Sequence, residues 1–122
     1  MPRLVEMDEK VTLFEQMEEN VSPVILINSF KVKPEDVDQL LTAWAEDAAW
    51  MKQQPGYIST QLHRGIGGSC VFINYAVWES VKDFRLAFSN PEFQSKLGHY
   101  PSEAVASPHL FQKVAIPRIC VD

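Results

Sequence analysis

Two asparagines and a tryptophan lie inside apolar, strand-like segments of this 122-residue chain, where polar chemistry would be shielded from water. Asn28 lies in VILINSFKV (24–32), and Asn74 and Trp78 lie in CVFINYAVW (70–78). Because side chains alternate between the two faces of a strand, Asn74 and Trp78 share a face. A buried amide without a partner costs about 1–3 kcal/mol. Each asparagine should therefore bond to the other, to backbone, or to a ligand whose developing oxyanion the amides would stabilise.

Histidine suits general-base catalysis because its reference pKa is close to neutral pH. His63, in YISTQLHR (57–64), is the candidate base. His63, His99 and His109 do not cluster with carboxylates at metal-ligand spacing, so no dedicated metal site is expected. The segment GIGGS (65–69) lies between two strands and lacks both GxGxxG and GK[ST], which indicates a hairpin turn. No flavin or nicotinamide fingerprint is present.

The elements that must position these residues follow the order β-α-β-β-α-β. Strands are predicted at 24–32, 57–64, 70–78 and about 110–116. Helices are predicted from Pro34 to just before Pro55, from a cap at Ser80 to the break at Asn90-Pro91, and over 92–97. This order is typical of a ferredoxin-like α+β fold, a four-stranded antiparallel sheet with helices on one face. Its first and third strands are central neighbours, so Asn28 and Asn74 should face one pocket.

The chain is predicted to form one domain, residues 23–122, with an N-terminal helical extension, residues 1–22. Asp8 should cap a short amphipathic helix over 8–19. An apolar fraction of 46% suits one core.

Both faces of the predicted strands are apolar, although the helices can cover only one of them. One face of the 70–78 strand carries Val71, Ile73, Tyr75 and Val77, and the other carries Phe72, Asn74, Ala76 and Trp78. An apolar face of this size favours burial against a second copy. We therefore predict a homodimer, a dimeric α+β barrel, in which the second face, the one left uncovered by the helices and carrying the two asparagines, is both the subunit interface and a wall of the pocket.

Composition excludes several other functions. The net charge of −5 argues against non-specific binding to nucleic acid or to an anionic membrane surface. No apolar run approaches the roughly 20 residues of a membrane helix. The N-terminus lacks an apolar signal segment. Cys70 and Cys120 are expected to be reduced thiols of a cytoplasmic protein, with a disulfide left open.

Several motifs together resemble one family. NYAVWES (74–80) is similar to the N-Y-A-x-W-x-S signature of the antibiotic biosynthesis monooxygenases. PGYIS (55–59), followed by His63-Arg64, resembles that family's P-G-F-x-S…H-R stretch. Phe84 and the Asn90-Pro91 break also lie where members have an aromatic and a proline. The resemblance covers about residues 24–116, and is closest to the cofactor-free enzymes that oxidise polyketide anthrones to quinones.

The resemblance implies a monooxygenase that needs no cofactor and takes a small aromatic substrate with O₂ as co-substrate. Asn28, Asn74 and Trp78 match positions linked to oxygenation, and His63 matches a pocket histidine. Phe84 falls where one such enzyme has a tyrosine, so any role of that hydroxyl is lost. The substrate-binding walls are expected to come from Phe30, Phe72, Phe84 and Phe88.

A related branch of the family degrades haem, and it needs a tryptophan near position 87 and a ligating histidine near position 97. This chain has Ala87 and Leu97 there, and His99 comes two residues late, so haem is not expected. Two alternatives stay open: a non-catalytic dimer that binds a small hydrophobic ligand, and a haem-degrading or isomerase relative on the same fold.

Overall fold

A five-stranded sheet forms the centre of the molecule. The structure, a computed structural model, describes residues 1–121. The strands lie in the order β1-β5-β2-β4-β3. Their bounds are Arg3–Leu4 (β1), Val24–Lys31 (β2), Tyr57–Arg64 (β3), Val71–Trp78 (β4) and Val105–Phe111 (β5). β1 runs parallel to β5, and all other neighbouring pairs are antiparallel. The ferredoxin-like prediction is confirmed, with a fifth strand added at one edge.

Within residues 1–121, four α-helices accompany the sheet, and the cap predicted at Ser80 is present. Their bounds are Leu13–Gln16 (α1), Val37–Met51 (α2), Val81–Phe88 (α3) and Pro91–Lys96 (α4). A 3₁₀ turn at Pro34–Asp36 leads into α2. Ser80 Oγ accepts the Asp83 N–H at 3.0 Å and donates to the Asp83 carboxylate at 2.9 Å. This reciprocal pair is the predicted capping-box variant.

Alternate residues of the central strands point towards the helices and form the core. One cluster surrounds Trp78 and Phe84, and the other surrounds Phe72 and Leu40. Each of these four side chains is at most 2% exposed. Burial of a large apolar side chain stabilises a fold by about 1.5–3 kcal/mol, so this face supplies most of the stability.

The last strand begins about five residues earlier than predicted. Pro108, taken from sequence as part of a loop, lies within β5 and pairs with Asn28. The neighbouring outward-facing groups are the Ala106 carbonyl, which accepts the Val5 N–H, and the Leu110 N–H, which donates to Gln16. The nitrogen of Pro108 shares this outward direction, so its missing N–H leaves the pairing with β2 intact.

The N-terminal segment is less helical than predicted. α1 has four residues and is capped by Thr12, not Asp8, through the Glu15 N–H. Residues 3–4 form the short strand β1, which was not predicted. Leu13 and Met17 are buried in the same cluster as Trp78, so the segment packs on the domain of its own chain.

Two smaller expectations concern the cysteines and the membrane. Cys70 and Cys120 are free thiols in this structure. Among residues 1–121, no helix combines the length and apolar character needed to cross a membrane.

Candidate active site

A cavity of about 70 Å³ lies between the sheet and helices α2, α3 and α4. Its wall is mainly aromatic and aliphatic. The lining side chains that carry polar groups include Asn28, Asp47, Tyr57, Thr60, Asn74 and Tyr100. A few convergent polar groups in an apolar cavity are typical of a small-molecule site.

Asn28 and Asn74 are direct partners in the pairing of β2 with β4, and both line the cavity. Trp78 lies on the same face of β4 and also lines it. The structure therefore brings together the three residues that strand alternation had placed on common faces. Trp78 is 1% exposed, and its indole makes edge-to-face contacts with Tyr57 at 5.8 Å and Phe84 at 5.9 Å between ring centroids.

The cavity is on the helix-covered face of the sheet, so the prediction that the second face would wall the pocket is wrong. Asn28 lies on the same face of β2 as Phe30, and Asn74 lies on the same face of β4 as Phe72. Both phenylalanines are buried beneath the helices. The open face carries Ile73 instead, and is separated from the cavity by the sheet itself.

The hydrogen bonds of the two asparagines differ. Thr60 Oγ1 donates to Asn74 Oδ1 at 2.5 Å, which leaves the Asn74 NH₂ group as the end that can donate to a ligand. Asn28 Oδ1 is buried and has no partner among the described residues. Asn74 therefore does not satisfy Asn28 Oδ1, and an unpartnered acceptor remains in the cavity wall. Leaving it unpaired costs about 1–3 kcal/mol.

A carboxylate and a phenol that the sequence analysis did not single out complete the polar set. Asp47, on α2, is 7% exposed, and the Tyr100 hydroxyl donates to its Oδ2 at 2.5 Å. Its Oδ1 is buried and has no partner among the described residues. Burial raises the pKa of Asp47 to about 6, although the Tyr100 hydrogen bond and the Lys96 charge lower it in part. Burial and the adjacent carboxylate raise the pKa of Tyr100.

The sequence held one signal for Asp47. It lies three residues after Trp44 and four before Met51, within the apolar stripe of α2, where an acidic residue must be buried. Nothing in the sequence links it to Tyr100, because the two residues are 53 positions apart and Tyr100 follows the last helix.

His63 is not at the cavity. It is exposed, it pairs with Ile73 in the sheet, and its Nδ1 lies 3.4 Å from the Ile73 carbonyl oxygen. The reason is an irregularity in β3 between Tyr57 and Ser59, which reverses the alternation of side chains. Tyr57 and Thr60 both line the cavity as a result, and His63 turns to the open face. The predicted position of the base is wrong.

Three of the four predicted phenylalanines line the cavity: Phe30, Phe84 and Phe88. Phe72 does not, because it is buried in the neighbouring cluster, with the Arg64 guanidinium 5.2 Å from its ring centroid. The predicted binding role of Phe72 is therefore wrong in position. No group of three or more His, Cys, Asp or Glu side chains among residues 1–121 is arranged to hold a metal ion.

The sequence profile described as "Antibiotic biosynthesis monooxygenase" matches residues 23–95. The chain belongs to the antibiotic biosynthesis monooxygenase family. The resemblance noted in the sequence is thereby confirmed. The match spans β2 to α4, so it contains Asn28, Asp47, Asn74 and Trp78, whereas Tyr100 lies beyond it.

Solved structures agree with this membership. SnoaB of Streptomyces nogalater, described as a cofactor-independent oxygenase, is 24% identical over 80% of this chain and 99% of its own, with a TM-score of 0.70. A candidate monooxygenase of Shewanella loihica PV-4 is 33% identical over 80% of this chain and 99% of its own, with a TM-score of 0.68. A candidate antibiotic biosynthesis monooxygenase of Caulobacter crescentus CB15 is 16% identical over 77% of this chain and 92% of its own, with a TM-score of 0.65. No curated protein matches the chain.

The cavity of this family member is small beside the 300–1,000 Å³ or so of typical ligand pockets. At about 70 Å³ it has room for O₂ or about two waters. A three-ring aromatic requires wall side chains to move. Phe88 is half-buried and lies between the buried Phe84 and Phe93, at centroid distances of 5.5 and 5.3 Å, so it is the side chain of this trio that can move most readily.

Proposed function

We propose that this protein is a monooxygenase that needs no cofactor and oxidises an anthrone-type phenol to a quinone with O₂. The observation that carries the proposal is the convergence of Asn28, Asn74 and Trp78 on one buried cavity. Membership of the family supports an oxygenation reaction. The likeness to SnoaB, described as cofactor-independent, supports chemistry in which the substrate supplies the electrons.

The reaction proceeds from the anion of the substrate. An electron-rich anthrone anion passes an electron to O₂, and the two radicals join to give a peroxide at the reacting carbon. Loss of water then leaves a carbonyl. The carbon loses two hydrogens and gains one oxygen atom, and the second oxygen atom leaves as water, so atoms and electrons balance without an external reductant.

The protein binds the flat aromatic, favours its anion and excludes water. The Asn74 NH₂ group, oriented by Thr60, donates to the oxyanion. Asn28 Oδ1 accepts from a substrate hydroxyl or from the peroxide. Trp78, Phe84 and Phe88 supply the aromatic walls on which the rings pack. Entry of three rings requires displacement of the half-buried Phe88.

The test is O₂ consumption by the purified, metal-free protein with dithranol as the anthrone. Loss of an oxyanion donor costs about 100-fold or more in kcat, so Asn74→Ala should slow turnover by that order. Trp78→Phe should slow it as well, and Asn20→Ala, at an exposed position, is the matched control. A wild-type rate no greater than the buffer background contradicts the proposal, and tight binding without turnover across a panel of aromatics favours a ligand-binding module.

We also propose that the protein works as a homodimer through the open face of the sheet. Its exposed apolar side chains include Ile58, Val71, Ile73 and Tyr75, at 38–51% exposure. This area is too apolar to be favourable in water. Because the cavity lies on the other face, each protomer has a complete set of cavity residues of its own.

A further inference from the structure

Two buried acceptors in the cavity wall have no partner, which restricts what the cavity can bind. They are Asn28 Oδ1 and Asp47 Oδ1. Both belong to residues that line the cavity. A ligand that fits must bring hydrogen-bond donors to these oxygens, and hydroxyl groups on an aromatic ring have the right chemistry.

Asp47 differs from Asn28 because it can also take up a proton. Among the described residues it is the only carboxylate that lines the cavity, and no histidine lines it. The remaining ionisable side chains there, Tyr57 and Tyr100, are phenols, which are hydrogen-bond donors and not carboxylate bases. The chemistry requires a base, and Asp47 is the group in position to be one.

Tyr100 determines which oxygen of the carboxylate is available. Its hydroxyl donates to Oδ2 at 2.5 Å, which holds the Asp47 side chain in one orientation and leaves Oδ1 unpartnered. The bond also favours the ionised carboxylate, which must be present for it to accept a proton. Tyr100 is itself 3% exposed and stacks on Phe30 at 5.7 Å between ring centroids, so its position is fixed by packing.

We propose that Asp47 is a catalytic residue of this cavity, the general base that takes the hydroxyl proton of a bound phenol or anthrol, with Tyr100 as its positioning residue. This inference rests on the proposed function and adds to it a proton acceptor. The O–H bond of the substrate breaks, its electron pair stays on the substrate oxygen, and the proton binds Asp47 Oδ1. The resulting anion is the species that reacts with O₂.

The pKa of Asp47, raised by burial to about 6, suits this role. The carboxyl is mainly ionised at pH 7, and it is a stronger base than an ordinary aspartate. The other charged groups that act on it are Lys96 and His99, which lower its pKa, and Glu46, which raises it. His99 and Glu46 bond to each other at 2.9 Å on the surface, which moderates the effect of both charges.

The first experiment is an anaerobic titration of the full-length protein with dithranol, followed by the absorbance of the dithranol anion between pH 5 and pH 9. Without O₂ the readout is proton transfer alone. The wild type should form the bound anion at a lower pH than free dithranol does. The lowest pH at which the bound anion forms should be near the pKa of Asp47. Asp47→Asn should abolish this shift, and Asp38→Asn, an exposed position on the same helix, should leave it unchanged.

Tyr100→Phe tests the positioning role separately, because it keeps the ring and removes the hydroxyl. Without its hydrogen bond the pKa of Asp47 rises, so the lower limit of anion formation should move to higher pH. A purely structural role for Tyr100 would change affinity without moving this limit.

O₂ uptake measured in parallel separates this inference from the proposed function. Asp47→Asn should lower kcat/KM by about 100-fold or more, within the usual contribution of a general base. Normal O₂ uptake by Asp47→Asn would leave the proposed function standing and overturn the role of Asp47. If anion formation depends on Asp47 but no O₂ is taken up, the role of Asp47 stands and the proposed function is overturned. Failure of the wild type to bind dithranol, or binding only as the neutral molecule, overturns the inference.

Discussion

Asp47 is a residue whose burial lowers the stability of the folded protein at neutral pH. An aspartate that is 7% exposed, with one oxygen unpartnered, is unfavourable in its charged form. Burial raises its pKa from 3.8 to about 6, so the folded state holds this proton more tightly than the unfolded chain does. The contribution of Asp47 to stability is therefore fully present below about pH 3.8 and is lost as pH rises through about 6.

Asp47→Asn should accordingly stabilise the protein at high pH. Since one pKa unit corresponds to about 1.4 kcal/mol, the gain in the free energy of unfolding should reach about 2–3 kcal/mol at pH 8. The gain should shrink towards pH 4, because the wild-type carboxyl is then protonated in the folded state. Urea denaturation at both pH values measures it, with Asp38→Asn as the exposed control. A difference between variant and wild type that is equal at the two pH values would contradict the account.

The sequence was sufficient for some residues of the site and insufficient for others. Two general rules were enough to place Asn28, Asn74 and Trp78 together. Side chains alternate along a strand, and the first and third strands of this fold are adjacent in the sheet. The position of His63 could not be predicted, because the irregularity between Tyr57 and Ser59 that turns it to the open face has no recognisable sequence signature. The Asp47–Tyr100 bond joins residues 53 positions apart, and only the packing of the helices on the sheet brings them together.

Among the elements, β5 depends on a side chain for some of its backbone hydrogen bonds, because β1 covers only part of its outer side. β1 pairs with β5 only at Val105 and Ala106, and further along β5 the side chain of Gln16 in α1 bonds to the backbone in place of a strand. Its Oε1 accepts the Leu110 N–H and its Nε2 donates to the Leu110 carbonyl, each at 2.9 Å. The predicted helical extension therefore has a function in the sheet that its amphipathic pattern did not indicate. The extent of β5 was also missed, because Pro108 was read as a strand breaker.

Gln16→Ala should destabilise the protein by about 1–3 kcal/mol, because the backbone groups of Leu110 lose a part-buried partner. Urea denaturation at pH 7 measures the change. Gln53→Ala, an exposed glutamine after α2, is the matched control and should have little effect. If both variants unfold at the wild-type urea concentration, α1 does not support the edge of the sheet in this way.

At the scale of the whole molecule, the two faces of the sheet have different properties. The helix-covered face holds the core and the cavity, and the open face exposes Ile73 at 40% and Tyr75 at 38%. Composition and pattern predicted that one face would need a partner, but they assigned the asparagines to that face. The wrong face was assigned to the helices because both sets of alternate residues are apolar. Packing, and not the sequence pattern, decides which set meets the helices.

The proposed homodimer predicts that Ile73→Arg weakens self-association. A charge in an apolar interface is costly to desolvate, so the variant should shift towards monomer in sedimentation at micromolar concentration. Leu86→Arg, on the outer side of α3 and 59% exposed, is the control that should remain dimeric. A stable wild-type monomer at that concentration would contradict the closed-sheet arrangement.

The central proposal for this protein is that its cavity oxygenates a phenolic aromatic without a cofactor. The most direct measurement is turnover of dithranol by the metal-free protein under O₂ labelled with oxygen-18, followed by mass spectrometry of the quinone. We expect one labelled oxygen atom in each quinone, formed well above the buffer rate and slowed by about 100-fold or more in Asn74→Ala. A quinone formed no faster than in buffer, or formed equally fast by Asn74→Ala, would contradict the claim.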